Sequence, residues 1–427
     1  MIQKAAILST GDEITTGRTV DTNANFIADQ LVAAGLDVVA ILVVGDYSDR
    51  LAWAWREAMR LADVVISSGG LGPTADDLTT ETVAQVTGRR LCLDRAVADR
   101  IRRMFEAMGR VMPENNLKQA QFPEGAVIIP NALGTAPGFR LDLAGAYGLR
   151  HLIVLPGVPR EMKLMIEEQV LPWLQEARGG NEIYLSQVFQ TFGLSESGLD
   201  EQVAGCVAPE EGRIAFRAAF PQISVRLTVH GPPAVAPQRL KELSARLRER
   251  ISGCTYGEGD TSMEAVVGSM LKERGMTVAL AESCTGGLVG HRITNIPGSS
   301  SYLKGGIVAY SNEVKQQSLG VRAETLAQHG AVSEETAAEM ATGVRRALAA
   351  DLGLAITGIA GPDGGTPDKP VGTVCFALAT PATVYRRRYQ LWGTRDWVKL
   401  LSSQIAVDWV RRFLLGMDPS ESGLLRR

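Results

Sequence analysis

The chain has 427 residues and a net charge of −3, so no basic field attracts nucleic acid or an anionic membrane. Its 45% apolar and 21% charged residues are ordinary for a globular protein, and its length predicts two or three domains of about 100–200 residues each. The five scattered cysteines form no Cys-x-x-Cys pair, which argues against a zinc site or disulfide framework and favours a reducing compartment.

Residues 1–176 alternate short apolar runs with amphipathic helical patterns. This alternation predicts an α/β domain with βαβ units, a mostly parallel sheet and helices on both faces. Ligands of such sheets bind beyond the carboxyl ends of the strands, where polar or Gly-rich segments follow here. The predicted strands are 5–8, 38–43, 64–67, 127–129 and 152–155, and the predicted helices are 24–34, 51–61, 79–87, 96–108 and 160–173.

The Gly-rich segment 69–77 allows more than one interpretation. Gly70 and Gly72 fit the G-x-G-x-x-A dinucleotide pattern, with Asp94 about 20 residues further on as the ribose-binding acid. The segment also fits a simple turn whose Asp76 and Asp77 are first-turn helix acids.

A third interpretation is a phosphate-binding loop beside a magnesium site. Backbone amides of such a loop bind phosphate, and nearby carboxylates bind Mg²⁺. The recurrence of polar side chains near predicted strand ends favours this interpretation. Those side chains belong to Asp12, Asp21, Asn23, Asp76 and Asp77. Lys118, in a polar run, is either a solvated charge or a phosphate contact.

Residues 177–256 predict a small α+β subdomain, with strands at 183–192 and 223–229 and helices at 196–203 and 238–251. Equal numbers of basic and acidic residues and the lack of a GxxG loop oppose nucleic-acid binding. We expect a spacer and dimer-contact module, with its end at the Gly-rich stretch 253–260.

Residues 257–417 predict a third, α/β domain, followed by a tail at 418–427. An apolar strand at 276–281 breaks at a Ser-Cys-Thr-Gly-Gly corner and continues as a helix. At such a corner, unpaired amides and the helix dipole stabilise negative charge, which suits acyl transfer by Ser283. The alternative is that Ser283 and Thr285 only cap the helix.

A serine nucleophile needs a base, and none of the four histidines forms a spaced pair. Tyr310 and Lys315, around a strand at 306–309 and its following loop, can take that role. Cys284 is the competing nucleophile but lacks a nearby His partner.

The rest of the C-terminal part predicts a helix at 333–349, strands at 352–357, 372–379 and 383–392, and an amphipathic helix at 395–415. The loop 358–372 is longer than a connection with no function usually is, and we expect it to bind ribose phosphate.

Several motifs in order resemble the C-terminal domain of the CinA family, a nicotinamide mononucleotide amidohydrolase. They are Leu280 to Gly287, Gly298 to Ser301, Gly305 to Lys315, Gly330 to Ser333 and Thr357 to Pro362. The resemblance implies Ser283 as nucleophile, assisted by Tyr310 and Lys315, and no cofactor. It implies substrate contacts from Thr285, Gly286, Gly287, Asn312, Gly358 and Gly361.

The N-terminal motifs resemble the molybdopterin-binding fold, and more closely the first domain of CinA proteins. They are Ser9 to Glu13, Asp21 to Asn23, Gly69 to Gly72, Asp76 to Glu81, Asn115 to Ala120, Gly134 to Gly138 and Leu155 to Pro159. The resemblance implies ADP-ribose pyrophosphatase activity that depends on a divalent metal such as Mg²⁺ and on K⁺. It implies metal ligands among Asp12, Asp21, Asp76 and Asp77, and substrate contacts from Gly70, Gly72, Lys118, Gly134 and Thr135.

The middle segment corresponds to a KH-like subdomain in the family. We therefore expect a bifunctional, homodimeric pyridine-nucleotide enzyme that acts on nicotinamide mononucleotide and ADP-ribose. The alternatives are an enzyme acting on a pterin cofactor and a competence or DNA-damage accessory protein that binds partners. The N-terminus lacks a signal-peptide pattern and no apolar run approaches about 20 residues, so we expect a cytoplasmic protein without membrane contact.

Overall fold

The computed structural model describes residues 2–145, 148–179 and 182–421. Residues 422–427 of the predicted tail therefore lie outside the described residues. The chain divides into two compact units, residues 1–186 with 228–241 and residues 187–227 with 242–427. The predicted middle segment is thus shared between the two units.

The first unit is built on a six-stranded sheet with the order β2-β1-β3-β8-β7-β6. Its strands, with the separate pair β4 and β5, are β1 (Lys4–Thr10), β2 (Asp37–Val44), β3 (Val64–Ser68), β4 (Leu91–Leu93), β5 (Gln121–Pro123), β6 (Val127–Ile129), β7 (Gly138–Gly145) and β8 (Gly148–Leu155). β1 is parallel to both β2 and β3, and β8 is parallel to β3. The unpredicted strand β7 is antiparallel to β8, so the sheet is mixed.

Helices cover both faces of this sheet, as predicted. They are α1 (Asp12–Thr15), α2 (Thr22–Ala33), α3 (Ser48–Leu61), α4 (Thr79–Thr87), α5 (Arg95–Ala107), α6 (Pro159–Met165) and α7 (Leu171–Ala177). Successive side chains of a strand point to opposite faces, so Ile7 packs in the core of α2 and α6, and Leu8 in the core of α3 and α4. β1 lies between β2 and β3 in the sheet. Because of this strand order, the loops that follow β1 and β3 turn away from each other, and the space between them forms a cleft at the carboxyl edge.

A four-stranded sheet with the order β10-β11-β9-β12 occupies the middle of the chain. Its elements are β9 (Ile183–Phe192), α8 (Glu196–Val203), β10 (Arg213–Ala219), β11 (Gln222–Gly231), α9 (Ala236–Arg250) and β12 (Thr255–Glu258). β12 lies within the predicted boundary stretch 253–260 and pairs antiparallel with β9, so it closes the middle sheet.

The C-terminal part has a five-stranded sheet with the order β14-β13-β15-β16-β17. Its elements are α10 (Met263–Glu273), β13 (Val278–Glu282), α11 (Leu288–Thr294), β14 (Leu303–Val308), α12 (Asn312–Leu319), α13 (Ala323–His329), α14 (Glu334–Ala347), β15 (Leu352–Gly358), β16 (Thr373–Ala379), β17 (Val384–Gln390) and α15 (Arg395–Leu414). β13 lies between β14 and β15 and is parallel to both, so its carboxyl end opens between two neighbouring loops.

Two sequence predictions need correction here. Lys315 lies on α12, where the sequence predicted a loop. Helix α15 is not amphipathic, since nearly all its residues after Lys399 are buried. Among its buried polar side chains, Asp408 accepts hydrogen bonds from Arg411 and Arg412 at 2.7 and 2.6 Å, whereas the Ser402 hydroxyl has no hydrogen-bond partner in the described chain.

Candidate functional site

The corner after β13 is fixed by backbone geometry. The N–H of Ser283 donates to the carbonyl of Ile356 in β15 at 3.0 Å, which ties the corner to the neighbouring strand. Gly286 and Gly287 then take φ values of 64° and 94°, a left-handed backbone that favours glycine. Both predicted substrate-binding glycines therefore form the turn that leads into α11.

The buried carboxylate of Glu282 caps α11. Its Oε2 accepts hydrogen bonds from the N–H groups of Gly287 and Val289 at 3.0 and 3.1 Å, and its Oε1 accepts one from Gly290 at 2.8 Å. Capping by Ser283 or Thr285 is therefore wrong, since neither side chain caps α11. Glu282 therefore occupies the amides of Gly287, Val289 and Gly290, and these three amides are not open to an oxyanion.

Glu282 was missed in the sequence, although an acid at the end of an otherwise apolar strand is an available signal. Within the described residues, the N–H groups of Cys284 and Thr285 donate to no protein acceptor. The hydroxyl of Thr285 is likewise buried without a hydrogen-bond partner among those residues. These three donors are the polar groups of the corner that remain available to a ligand.

Lys315 reaches Ser283 from α12. Its Nζ lies 3.2 Å from Ser283 Oγ and donates to the carbonyls of Ala309 and Tyr310 at 2.8 and 3.3 Å. The Lys315 side chain is 2% exposed, and burial lowers the pKa of its amine below the ordinary value. A neutral amine has two N–H groups and one lone pair, which matches two carbonyls and one hydroxyl.

Cys284 is the competing nucleophile, and its thiol is buried near enough to Lys315 for the two groups to interact electrostatically. Burial raises the pKa of its thiol to about 12, so the thiol is protonated at neutral pH. A Cβ on Gly358 would lie 3.1 Å from the Cys284 sulfur, so this predicted substrate-binding glycine allows β15 to pack closely beside the corner.

Tyr310 lies at the rim of the corner, with 63% of the residue exposed. Its hydroxyl accepts a hydrogen bond from Arg395 Nη2 at 3.0 Å, and Arg395 Nη1 donates to the carbonyl of Gly361 at 2.7 Å. The sequence analysis did not identify Arg395, which opens α15 and is 85 residues from Tyr310. The tyrosine hydroxyl thus contacts Arg395, while only the backbone carbonyl of Tyr310 contacts Lys315.

The other predicted residues of this domain lie around the corner. Asn312 is exposed at the start of α12, one turn before Lys315. In the loop 358–372, Lys369 donates from Nζ to the carbonyl of His329 at 2.5 Å, so its charge is already engaged with the protein.

The cleft of the first unit has a volume of about 430 Å³ and lies at the carboxyl ends of β1, β3 and β8. It is lined by Gly70, Gly72, Asp76, Asp77 and Thr135 of the predicted residues, and also by Thr10, Glu13, Asp46, Gln119 and Glu161. Thr10 Oγ1 and Gln119 Oε1 are buried polar atoms without a hydrogen-bond partner in the described chain.

The four predicted metal ligands do not form one site. Asp21 caps α2 by accepting from the N–H of Ala24 at 2.9 Å. Asp77 accepts from the N–H and hydroxyl of Thr74 at 2.9 and 2.5 Å, which shapes the Gly-rich loop. Throughout the described ranges, no group of three or more His, Cys, Asp or Glu residues is placed to bind a metal ion.

Asp46 is the acid that the sequence analysis missed in this cleft. Burial raises the pKa of its carboxyl, and the nearby charges of Asp12, Glu13 and Asp76 raise it further. The N–H of Asp12 donates to Asp46 Oδ2 at 3.1 Å, which places the two acids side by side. The negative charge of these neighbouring carboxylates is uncompensated, so the cleft suits a cation that binds together with a ligand.

The remaining predicted contacts shape the loops around the cleft. Lys118 Nζ donates to the carbonyl of Thr74 at 3.0 Å and pairs with Glu81 at 3.1 Å, so it supports the Gly-rich loop. The N–H of Gly134 donates to Asn131 Oδ1 at 2.9 Å, and a Cβ there would meet the Glu161 carboxylate at 2.3 Å.

Comparison with known families agrees with this architecture. Family models described as a probable molybdopterin binding domain, a damage-inducible protein CinA KH domain and a CinA C-terminal domain match residues 6–176, 186–257 and 260–414. The molecule is therefore a mixed α/β protein with a molybdopterin-binding-like first domain, a KH-like middle subdomain and a CinA C-terminal domain.

Curated relatives match nearly the whole chain. A CinA-like protein of Geotalea uraniireducens is 42% identical over 98% of this chain and 99% of its own length. A putative competence-damage inducible protein of Halothermothrix orenii is 42% identical over 96% of this chain and 98% of its own length. The chain belongs to the CinA family. Within the described ranges, none of its helices is both long and apolar enough to span a bilayer.

Proposed function

We propose that the C-terminal domain hydrolyses the amide of nicotinamide mononucleotide to nicotinate mononucleotide and ammonia. The observation that supports this proposal is the buried contact of 3.2 Å between Lys315 Nζ and Ser283 Oγ. Burial lowers the pKa of Lys315 and so favours the neutral amine that can take a proton, and a serine that contacts such a base is an activated nucleophile.

In the proposed reaction, Ser283 Oγ attacks the amide carbon while its proton passes to Lys315. The N–H groups of Cys284 and Thr285 bind the oxyanion, since they are not engaged by the described protein. The resulting ammonium of Lys315 protonates the leaving nitrogen, and ammonia departs as the acyl-enzyme forms. Water then attacks the acyl carbon and gives a proton to Lys315, which returns it to Ser283 as the carboxylate product leaves.

Tyr310 and Arg395 orient the substrate in this proposal. The Tyr310 hydroxyl is exposed at the rim and bound to Arg395, whereas Lys315 contacts Ser283 directly. A proton relay through the phenol is therefore unnecessary. The hydroxyl of Thr285, buried without a partner in the described chain, is a candidate donor to the substrate.

We further propose that the first domain cleaves ADP-ribose to AMP and ribose 5-phosphate. The cleft of about 430 Å³ is of the size of small-molecule sites. Mg²⁺ typically binds one or two carboxylates together with substrate phosphates, and Asp46 and Asp76 are the acids that would bind it here. The metal, when bound, would neutralise charge on the pyrophosphate. The K⁺ requirement remains a prediction from the family resemblance, and the homodimer and the absence of nucleic-acid partners remain predictions from the sequence of the middle segment.

One assay of the purified full-length chain tests both activities. Ammonia release from nicotinamide mononucleotide is expected with and without a chelator, and AMP formation from ADP-ribose is expected only without it. A protein that merely binds partners, as the alternative of a competence accessory role requires, would release neither product.

A further inference from the structure

The hairpin formed by β10 and β11 contacts the C-terminal domain at two points within the second unit. Phe220, at the turn, stacks on Trp397 with ring centroids 4.3 Å apart and an interplanar angle of 22°. Gln222 Nε2, at the start of β11, donates to Gln404 Oε1 at 3.0 Å. The hairpin therefore contacts both the beginning and the middle of α15.

The contact at the tip lies next to the rim of the Ser283 corner. Trp397 is in the first turn of α15, two residues after Arg395. Arg395 itself contacts the hydroxyl of Tyr310 and the carbonyl of Gly361. Stacking by Phe220 therefore restrains the turn from which Arg395 reaches the site.

The second contact reaches the helix that follows the corner. Gln404 is fully buried, and its Oε1 accepts from Gln222 and also from Arg292 Nη2. Arg292, on α11, is further held by Ser403 at 2.7 Å and by an ion pair with Glu264. Gln222 thus shares an acceptor with the helix that Glu282 caps.

We infer that the β10–β11 hairpin is a positioning element of the Ser283 site, which sets its affinity for a nucleotide amide. This inference rests on the proposed amidase function. The Phe220–Trp397 pair fixes the rim residues that contact the nucleotide part of the substrate, while Lys315 stays in place on α12 and Ser283 at the corner after β13. The middle subdomain then serves the C-terminal site and is more than a spacer.

Two variants of the full-length chain, Phe220→Ala and Phe220→Tyr, test this role. Phe220→Ala is expected to raise KM for nicotinamide mononucleotide about two- to tenfold, the factor that corresponds to the free energy of one aromatic pair. The kcat is expected to stay nearly unchanged. Phe220→Tyr retains the stacked ring and is expected to keep the wild-type KM. The matched control is Arg246→Ala, which removes an ion pair with Glu211 inside the middle subdomain, away from the hairpin turn.

Hydrogen exchange separates this inference from the proposed function. Phe220→Ala is expected to speed amide exchange at residues 395–398, and Arg246→Ala is expected to leave it unchanged. If the wild-type chain released no ammonia, the proposed function would fail, and the exchange rates would still decide the role of the hairpin. Unchanged KM and exchange in Phe220→Ala, or equal changes in Arg246→Ala, would overturn the inference.

Discussion

Lys315 Nζ lies 3.2 Å from Ser283 Oγ, and both residues are buried. The two residues are 32 positions apart, on the corner after β13 and on α12. Parallel pairing of β13 with β14 brings them together, because the chain leaves both strands at the same edge of the sheet. Two backbone carbonyls accept hydrogen bonds from the Lys315 amine. When this amine is neutral, its lone pair is therefore directed to the Ser283 hydroxyl.

Ser283→Ala is expected to lower kcat for deamidation by more than about 10³-fold, since no other hydroxyl among the described residues contacts Lys315. Cys284→Ala is the matched control, and it is expected to cost far less because burial raises the pKa of the Cys284 thiol to about 12. Ammonia release measures both variants. A dead Cys284→Ala enzyme beside an active Ser283→Ala enzyme would refute the serine assignment.

Lys315→Met is expected to lower kcat about 10²–10⁴-fold, the usual contribution of a general base. Lys315→Arg should not restore activity, because a guanidinium stays protonated throughout the working pH range. Steady-state kinetics measure both variants, and circular dichroism checks their fold. An active Lys315→Arg enzyme would show that position 315 supplies only positive charge.

The pH profile should follow the amine of Lys315. Burial favours the neutral amine, so its pKa lies below the ordinary 10.5 and the base becomes available as pH rises through that lowered value. We therefore expect kcat/KM to increase with pH and to level off below pH 10.5. A profile that keeps rising to the ordinary lysine pKa would contradict a desolvated base.

Glu282→Gln should destabilise the fold as well as the corner. An amide keeps one acceptor oxygen and replaces the other by a donor, so at least one of the three backbone N–H groups loses its acceptor. We expect the free energy of unfolding to fall by about 1–3 kcal/mol, the cost of leaving buried groups unpaired. Chemical denaturation measures it, and a variant as stable as the wild type would show that the capping bonds contribute little.

Asp46→Asn and Asp76→Asn are expected to lower AMP formation from ADP-ribose about 10–100-fold while ammonia release stays at the wild-type rate. Asp21→Asn is the control, because this side chain caps α2 and does not line the cleft. If Asp21→Asn alone abolished cleavage, the ligand assignment made from the structure would be wrong.

The sequence predicted most of the elements that position the site, because apolar runs and helical periods are local signals. Helix α4 (Thr79–Thr87) and strand β9 (Ile183–Phe192) match the predicted bounds. The sequence also singled out Ser283 and Lys315, which the structure places in contact.

Partners that are distant in sequence could not be predicted. Glu282 looked like one more residue of a strand, and its role depends on the amides of the following helix. Arg395 meets Tyr310 only because α15 returns to the sheet edge. Asp46 lies outside every recognised motif, and only the fold brings it beside Asp12.

The most direct test of the central claim is mass spectrometry of the enzyme quenched during turnover of nicotinamide mononucleotide. We expect a nicotinate mononucleotide acyl group on Ser283, located by fragmentation of the peptide and retained in Cys284→Ala. We also expect no such adduct in Ser283→Ala. An acyl group on Cys284, or full turnover by Ser283→Ala, would contradict the account.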